Sequence, residues 1–166
     1  MLKEHAKLMA FFSECQKVEG RKRLQKMIYI LKKCGFPFSE RYHFHFYGPY
    51  SEELTLRVEE LNNLGLLREE KEKKSGYWLY RYTLTEEGKN FLQHYHLDMP
   101  DMQPYIQRLN EKSSRFLELV STMLYFDGLA ENEIVNKVRN VKSKQNYTDE
   151  EIEEAKAFIR QIIRHH

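Results

Sequence analysis

The stretch Arg41-Tyr42-His43-Phe44-His45-Phe46-Tyr47-Gly48-Pro49-Tyr50-Ser51 gathers imidazole and aromatic rings more densely than any other part of the chain. Alternation through 42–47 predicts a strand with Tyr42, Phe44 and Phe46 on one face and His43, His45 and Tyr47 on the other. Two imidazoles on one strand face can begin a metal site, but a site needs further ligands. His94 and His96 supply none, because residues two apart on a helix point in roughly opposite directions. His165 and His166 sit at the terminus. No metal and no cofactor are therefore expected. No GxSxG, HExxH, GxxxxGK[ST] or GxGxxG motif occurs, and neither Cys15 nor Cys34 lies in a nucleophile motif or a metal spacing. With only seven glycines, a phosphate-cradling loop has little material. The chain reads as non-enzymatic.

The elements that position these residues follow from periodicity. Helices are predicted at 2–14 and 21–34, the second with Leu24, Met27, Ile28 and Leu31 as its core stripe. Lys22, Lys26, Tyr29 and Lys33 fall together on its opposite side. Gly48 and Pro49 should end the strand, and Ser51 caps a helix over 52–64 whose first turn carries Glu52 and Glu53. Strands at 66–73 and 77–83, joined by Lys74-Ser75-Gly76, form a hairpin in which Trp78, Tyr80 and Tyr82 alternate. A helix over 85–94 follows. Asp98, Pro100, Asp101 and Pro104 then break the chain, which sets the boundary between residues 1–97 and a helical extension, 98–166. Helices are read there at 103–126, 131–141 and 148–164, with Thr148 and Glu151 as a capping box. Residues 116–126 are apolar nearly all round, apart from Glu118, and suit a buried centre or a homodimer contact. The fold class is α+β and helix-rich.

A chain of 166 residues with 41% hydrophobic side chains can build a real core. No apolar run reaches the ~20 residues that cross a bilayer, so no membrane contact is expected. The cysteine usage and the absence of an apolar leader point to the cytoplasm. Net charge is +2, but residues 1–50 hold ten basic and four acidic side chains. Any positive footprint lies there.

The order helix, strand, helix, Leu64-Gly65-Leu66-Leu67, hairpin, Tyr82-Thr83-Leu84-Thr85-Glu86-Glu87-Gly88 resembles a winged helix-turn-helix domain. Gly20-Arg21-Lys22-Arg23-Leu24-Gln25-Lys26-Met27-Ile28-Tyr29-Ile30-Leu31, then Tyr47-Gly48-Pro49-Tyr50-Ser51 and the helical tail, is similar to the YwgA-like proteins of Bacillus and relatives. The Leu-Gln-Lys helix followed by Gly-Pro also resembles the Panacea antitoxin domain. The winged-helix resemblance implies a bacterial regulatory protein that contacts nucleic acid. One departure stands out: winged helices place two helices between the first strand and the wing, whereas only 52–64 follows the strand at 42–47.

Two partner surfaces come out of this reading. For nucleic acid, the cations are Arg21, Lys22, Lys26 and Lys33, with Arg68, Lys71, Lys73 and Lys74 from the wing. A lysine face of this kind is also what an ordinary solvated helix presents. For a protein partner, the outward face of 52–64 offers Glu52, Leu56, Glu59 and Glu60, beside Tyr47 and Tyr50. Three carboxylates without a cation would be repelled by phosphates, which suits an adaptor or antitoxin-like contact better than a DNA groove.

Overall fold

The structure is a computed structural model that describes residues 2–46 and 48–163. Lys3–Cys15 (α1) buries Ala6, Leu8, Met9, Phe11, Phe12 and Cys15. Next comes a two-residue strand, Val18–Glu19 (β1), too short for any periodicity to reveal. Gly20, at φ 108°, then turns the chain into Arg21–Lys33 (α2), a backbone angle that side chains with a Cβ rarely adopt.

The ring-rich segment is a small hairpin of its own. His43–His45 (β2) pairs antiparallel with Gly48–Tyr50 (β3), His43 facing Tyr50. The expected strand over 42–47 is therefore shorter, and Gly48 and Pro49 lie inside the returning strand instead of ending it. Phe46 sits at the turn, 92% exposed, so the alternation stops before it. Tyr47 lies outside the described residues. Gly48 has φ +89°, and a Cβ there would approach Thr122 Oγ1 to 3.4 Å, so glycine lets this hairpin press against a later helix.

Ser51 accepts a hydrogen bond from the Leu54 N–H and starts Glu52–Asn63 (α3), which buries Leu54, Val58 and Leu61. Leu67–Lys74 (β4) and Tyr77–Leu84 (β5) form the predicted long hairpin, in register from Leu67 opposite Leu84 to Lys74 opposite Tyr77. The strand that joins it is β1, with Val18 opposite Tyr82 and Glu19 opposite Arg81. Strand order is β1-β5-β4. Two helices, α2 and α3, thus separate the first strand of this sheet from its hairpin. The departure noted in the sequence disappears, because the strand near residue 42 belongs to the other sheet.

Thr85 accepts from the Gly88 N–H and begins Glu86–His94 (α4). A Cβ on Gly88 would collide with the Leu66 carbonyl oxygen, so this helix can sit on the hairpin base only with glycine there. The single helix expected over 103–126 is two: Gln103–Asn110 (α5) and Ser114–Tyr125 (α6). The break has a local cause and a distant one. Ser113 accepts from the Phe116 N–H, and the Arg23 guanidinium donates to the carbonyls of Leu109, Asn110 and Lys112, which would otherwise need a continuing helix. Glu131–Val141 (α7), a 3-10 turn at Ser143–Gln145 and Asp149–Ile163 (α8) complete the described chain. Thr148 and Glu151 cap each other as the sequence predicts. Arg164, His165 and His166 lie outside the described residues.

Helix α6 packs along α2 and against β3, α7 and α8. Its Leu117, Leu119, Val120 and Leu124 are buried in one core with the side chains of α1 and α2. Each such side chain contributes about 1.5–3 kcal/mol of burial.

Candidate functional site

The histidine pair stays on the surface of β2, where His45 packs its ring 5.0 Å from that of Tyr50. Among the described residues no three His, Cys, Asp or Glu side chains gather as a metal group. Both cysteines are buried, and burial pushes their thiols up, Cys34 to about 12. A neutral buried thiol is a poor nucleophile.

Apart from Lys22, which is exposed, the lysine stripe of α2 is not a solvated face. Helix α6 lies over it, and the Lys26 side chain, 3% exposed, meets Glu118 at 3.5 Å. Lys142 reaches the other oxygen of Glu118 at 3.4 Å, as does the Tyr147 hydroxyl, and Lys142 also donates to the Phe46 carbonyl. Burial lowers the Lys26 pKa first of all; Glu118 opposes that, while Lys22 and Lys142 add to it. Tyr29 is buried with its ring against Tyr42 and Tyr125, and Lys33 pairs with Asp127 at 2.7 Å. The helical wheel puts Lys26, Tyr29 and Lys33 on one side, and an element about ninety positions later packs over them. The signal for this was the lone acid of the apolar run 116–126, Glu118.

The hairpin is where cations stay outside. Cross-strand register puts Glu69, Lys71 and Lys73 of β4 on one face with Tyr82, Tyr80 and Trp78 of β5. Trp78 is 51% exposed, with Lys71 and Lys73 ammonium groups 5.4 and 6.0 Å from its ring. Arg21 lies 3.6 Å over the Tyr80 ring and 3.7 Å from Glu69. The opposite face holds Arg68 and Lys74, the latter paired with Glu72 at 3.0 Å.

Helix α3 presents Glu52, Leu56, Glu59 and Glu60 to solvent, as its wheel predicts. Leu56 is 58% exposed, Glu60 meets His5 at 2.9 Å, and Tyr50 is half-buried with its hydroxyl 2.9 Å from Thr55 Oγ1. Arg57 turns away to the buried carboxylate of Glu40. It does not offset the acidic face.

Between the hairpin and the extension runs an open groove of about 660 Å³. Its walls are Tyr77, Trp78 and Tyr80 on one side and Tyr147 and Arg115 on the other, with the first turn of α2 and the Lys26–Glu118 pair among its lining. Strand β1 covers only Arg81 and Tyr82 of β5, followed by one bond from the Gly20 N–H to the Tyr80 carbonyl. The first residues of β5 therefore keep an open backbone edge on this side among the described residues.

A Bacillus subtilis (strain 168) protein described as "Uncharacterized protein YwgA" is 64% identical over 162 residues, which span 98% of this chain and 98% of its own. The chain belongs to the YwgA family. No family model matches it. The matched span includes both the hairpin and the helices that follow it.

Proposed function

We propose that this YwgA-family protein is a non-catalytic regulatory module of winged-helix type that contacts nucleic acid through its hairpin. The supporting observation is topological: sheet order β1-β5-β4, with α2 and α3 between the first strand and the hairpin. In that frame the hairpin is the wing, and its Lys71, Lys73 and Trp78 combine cations with a stacking ring. The acidic outer face of α3 disfavours insertion in a major groove, so the wing carries the contact, with Arg68 and Lys74 beside it. Among the described residues no helix is long and apolar enough to cross a membrane. A cytoplasmic regulator, dimeric through its extension, is the reading that fits.

The test is a titration of the full chain with mixed-sequence duplex DNA at about 50 and 200 mM salt, where several phosphate contacts cost orders of magnitude in affinity. Lys71→Glu with Lys73→Glu should abolish binding, and Glu59→Ala should leave it unchanged. Absence of binding at low salt overturns the reading. A second reading has its own support in Leu56, an exposed leucine among Glu52, Glu59 and Glu60. It makes α3 the anchor for a basic protein partner in an adaptor or antitoxin-like complex.

A further inference from the structure

We infer that the hollow between α2, α3, β3 and the long hairpin binds a small uncharged aromatic molecule that carries one hydrogen-bond donor. The hollow measures about 240 Å³, and its walls are the buried side chains of Leu24, Leu54, Val58 and Tyr82. Atoms that line such a void lack packing partners on one side, so a ligand that fills it gains contacts the fold itself leaves unmade. Water fills it poorly, because apolar walls offer it no partner. An apolar cavity of about 150 Å³ takes one benzene ring, so this one has room for a ring with a substituent.

Charge at the mouth disfavours an ion. Arg21 and Lys22 stand there with Glu59 and Glu69, two cations against two carboxylates. Arg21 and Glu69 lie 3.7 Å apart, and both hydrogen-bond to the Tyr82 hydroxyl, so this part of the rim is already satisfied. A charged ligand would leave water for a site with no net charge to receive it, a cost that apolar walls do not offset.

One acceptor in the lining is open. Tyr50 and Thr55 both border the hollow. The Gln25 amide is oriented by Ser51, whose N–H donates to Gln25 Oε1, so Gln25 Nε2 is the donor that reaches Thr55 Oγ1 at 3.1 Å. Thr55 has a single hydroxyl proton, and it goes to the Ser51 carbonyl. In the 2.9 Å bond between Tyr50 and Thr55 the proton must therefore come from Tyr50. The lone pairs of the Tyr50 oxygen then meet no donor among the described residues. A ligand O–H or N–H supplies one, and a bare hydrocarbon does not.

The full chain, labelled with carbon-13 at its methyl groups, is titrated with phenol, toluene and benzoate and followed by nuclear magnetic resonance. Phenol should shift the Leu24, Leu54 and Val58 methyl resonances saturably. It should bind tighter than toluene by roughly threefold or more, the weight of one hydrogen bond, and tighter than benzoate by roughly tenfold or more. Tyr50→Phe should bring phenol down to the affinity of toluene. Val58→Phe, which fills the hollow from its own wall, should abolish binding of both as read at Leu24 and Leu54, with far-ultraviolet circular dichroism confirming the fold. Phenol and toluene bound alike by the native chain, benzoate bound as tightly as phenol, or no saturable shift at these methyl groups would overturn the assignment. The site goes beyond the wing reading and is independent of it: a failed duplex titration with the phenol shifts intact removes that reading and leaves this one.

Discussion

Lys26 of α2 and Glu118 of α6 face each other at 3.5 Å across the seam between the two halves of the chain, and Lys142 completes the cluster from the other side. One carboxylate therefore holds two ammonium groups. Glu118→Ala strands both and should cost about 3–5 kcal/mol, whereas Lys26→Met leaves Lys142 paired and should change stability by less than about 1 kcal/mol. Urea denaturation of the two variants measures this asymmetry; equal losses would show that the cluster is not organised around Glu118.

Leu56 projects from α3 with 58% of its surface exposed. Leu56→Asp should shift stability by no more than about 0.5 kcal/mol, as for other surface substitutions. Thermal melting decides it. A large loss would place Leu56 in a buried contact and end the adaptor reading of α3.

Gly88 has no room for a methyl group, because the Leu66 carbonyl oxygen and the Leu84 side chain occupy the space. Gly88→Ala should destabilise by about 1–3 kcal/mol through displacement of α4 from the hairpin base. Gly76 at the hairpin tip has open space around it but φ +81°, so Gly76→Asn should be far milder than Gly76→Val. Chemical denaturation ranks all three.

Glu151 accepts two bonds from the Arg115 guanidinium and one from the Thr148 N–H, which hold its carboxyl down at about 2. A depressed carboxylate stabilises the fold above its unfolded pKa, and that contribution fades as pH falls through the folded value. The gap in melting temperature between the native chain and Glu151→Ala should be full at about pH 6 and shrink steadily from about pH 4.5 toward pH 2. A gap that stays constant over that range would show that the Arg115 pair contributes nothing. Its partly exposed setting keeps the effect small.

The helices and the long hairpin were legible because their signals are local: apolar spacing in α1, α2 and α3, a Ser cap, and alternation of Trp78, Tyr80 and Tyr82 around Ser75-Gly76. Val18–Glu19 was not, since two residues carry no period, and the visible alternation near residue 42 belongs to the other sheet. The break before Ser114 was hidden because apolar spacing continues across it while its distant cause, Arg23, lies in another helix. For the same reason the lysines of α2 read as a solvated face. A wheel diagram shows which side chains share a side, and only the partner element decides whether that side meets water. The groove fell between the two readings: its rings and its cations were both visible, but their meeting depends on where α6 lies.

The Arg23 clamp also bears on how the chain is made. Arg23 and Ser114 are 91 residues apart, so α2 leaves the ribosome well before its cover exists. At roughly 5–20 residues per second, that interval lasts about 5–20 s. Throughout it the nascent chain displays Tyr29, Lys26 and the flank meant for α6, a surface vulnerable to off-pathway association.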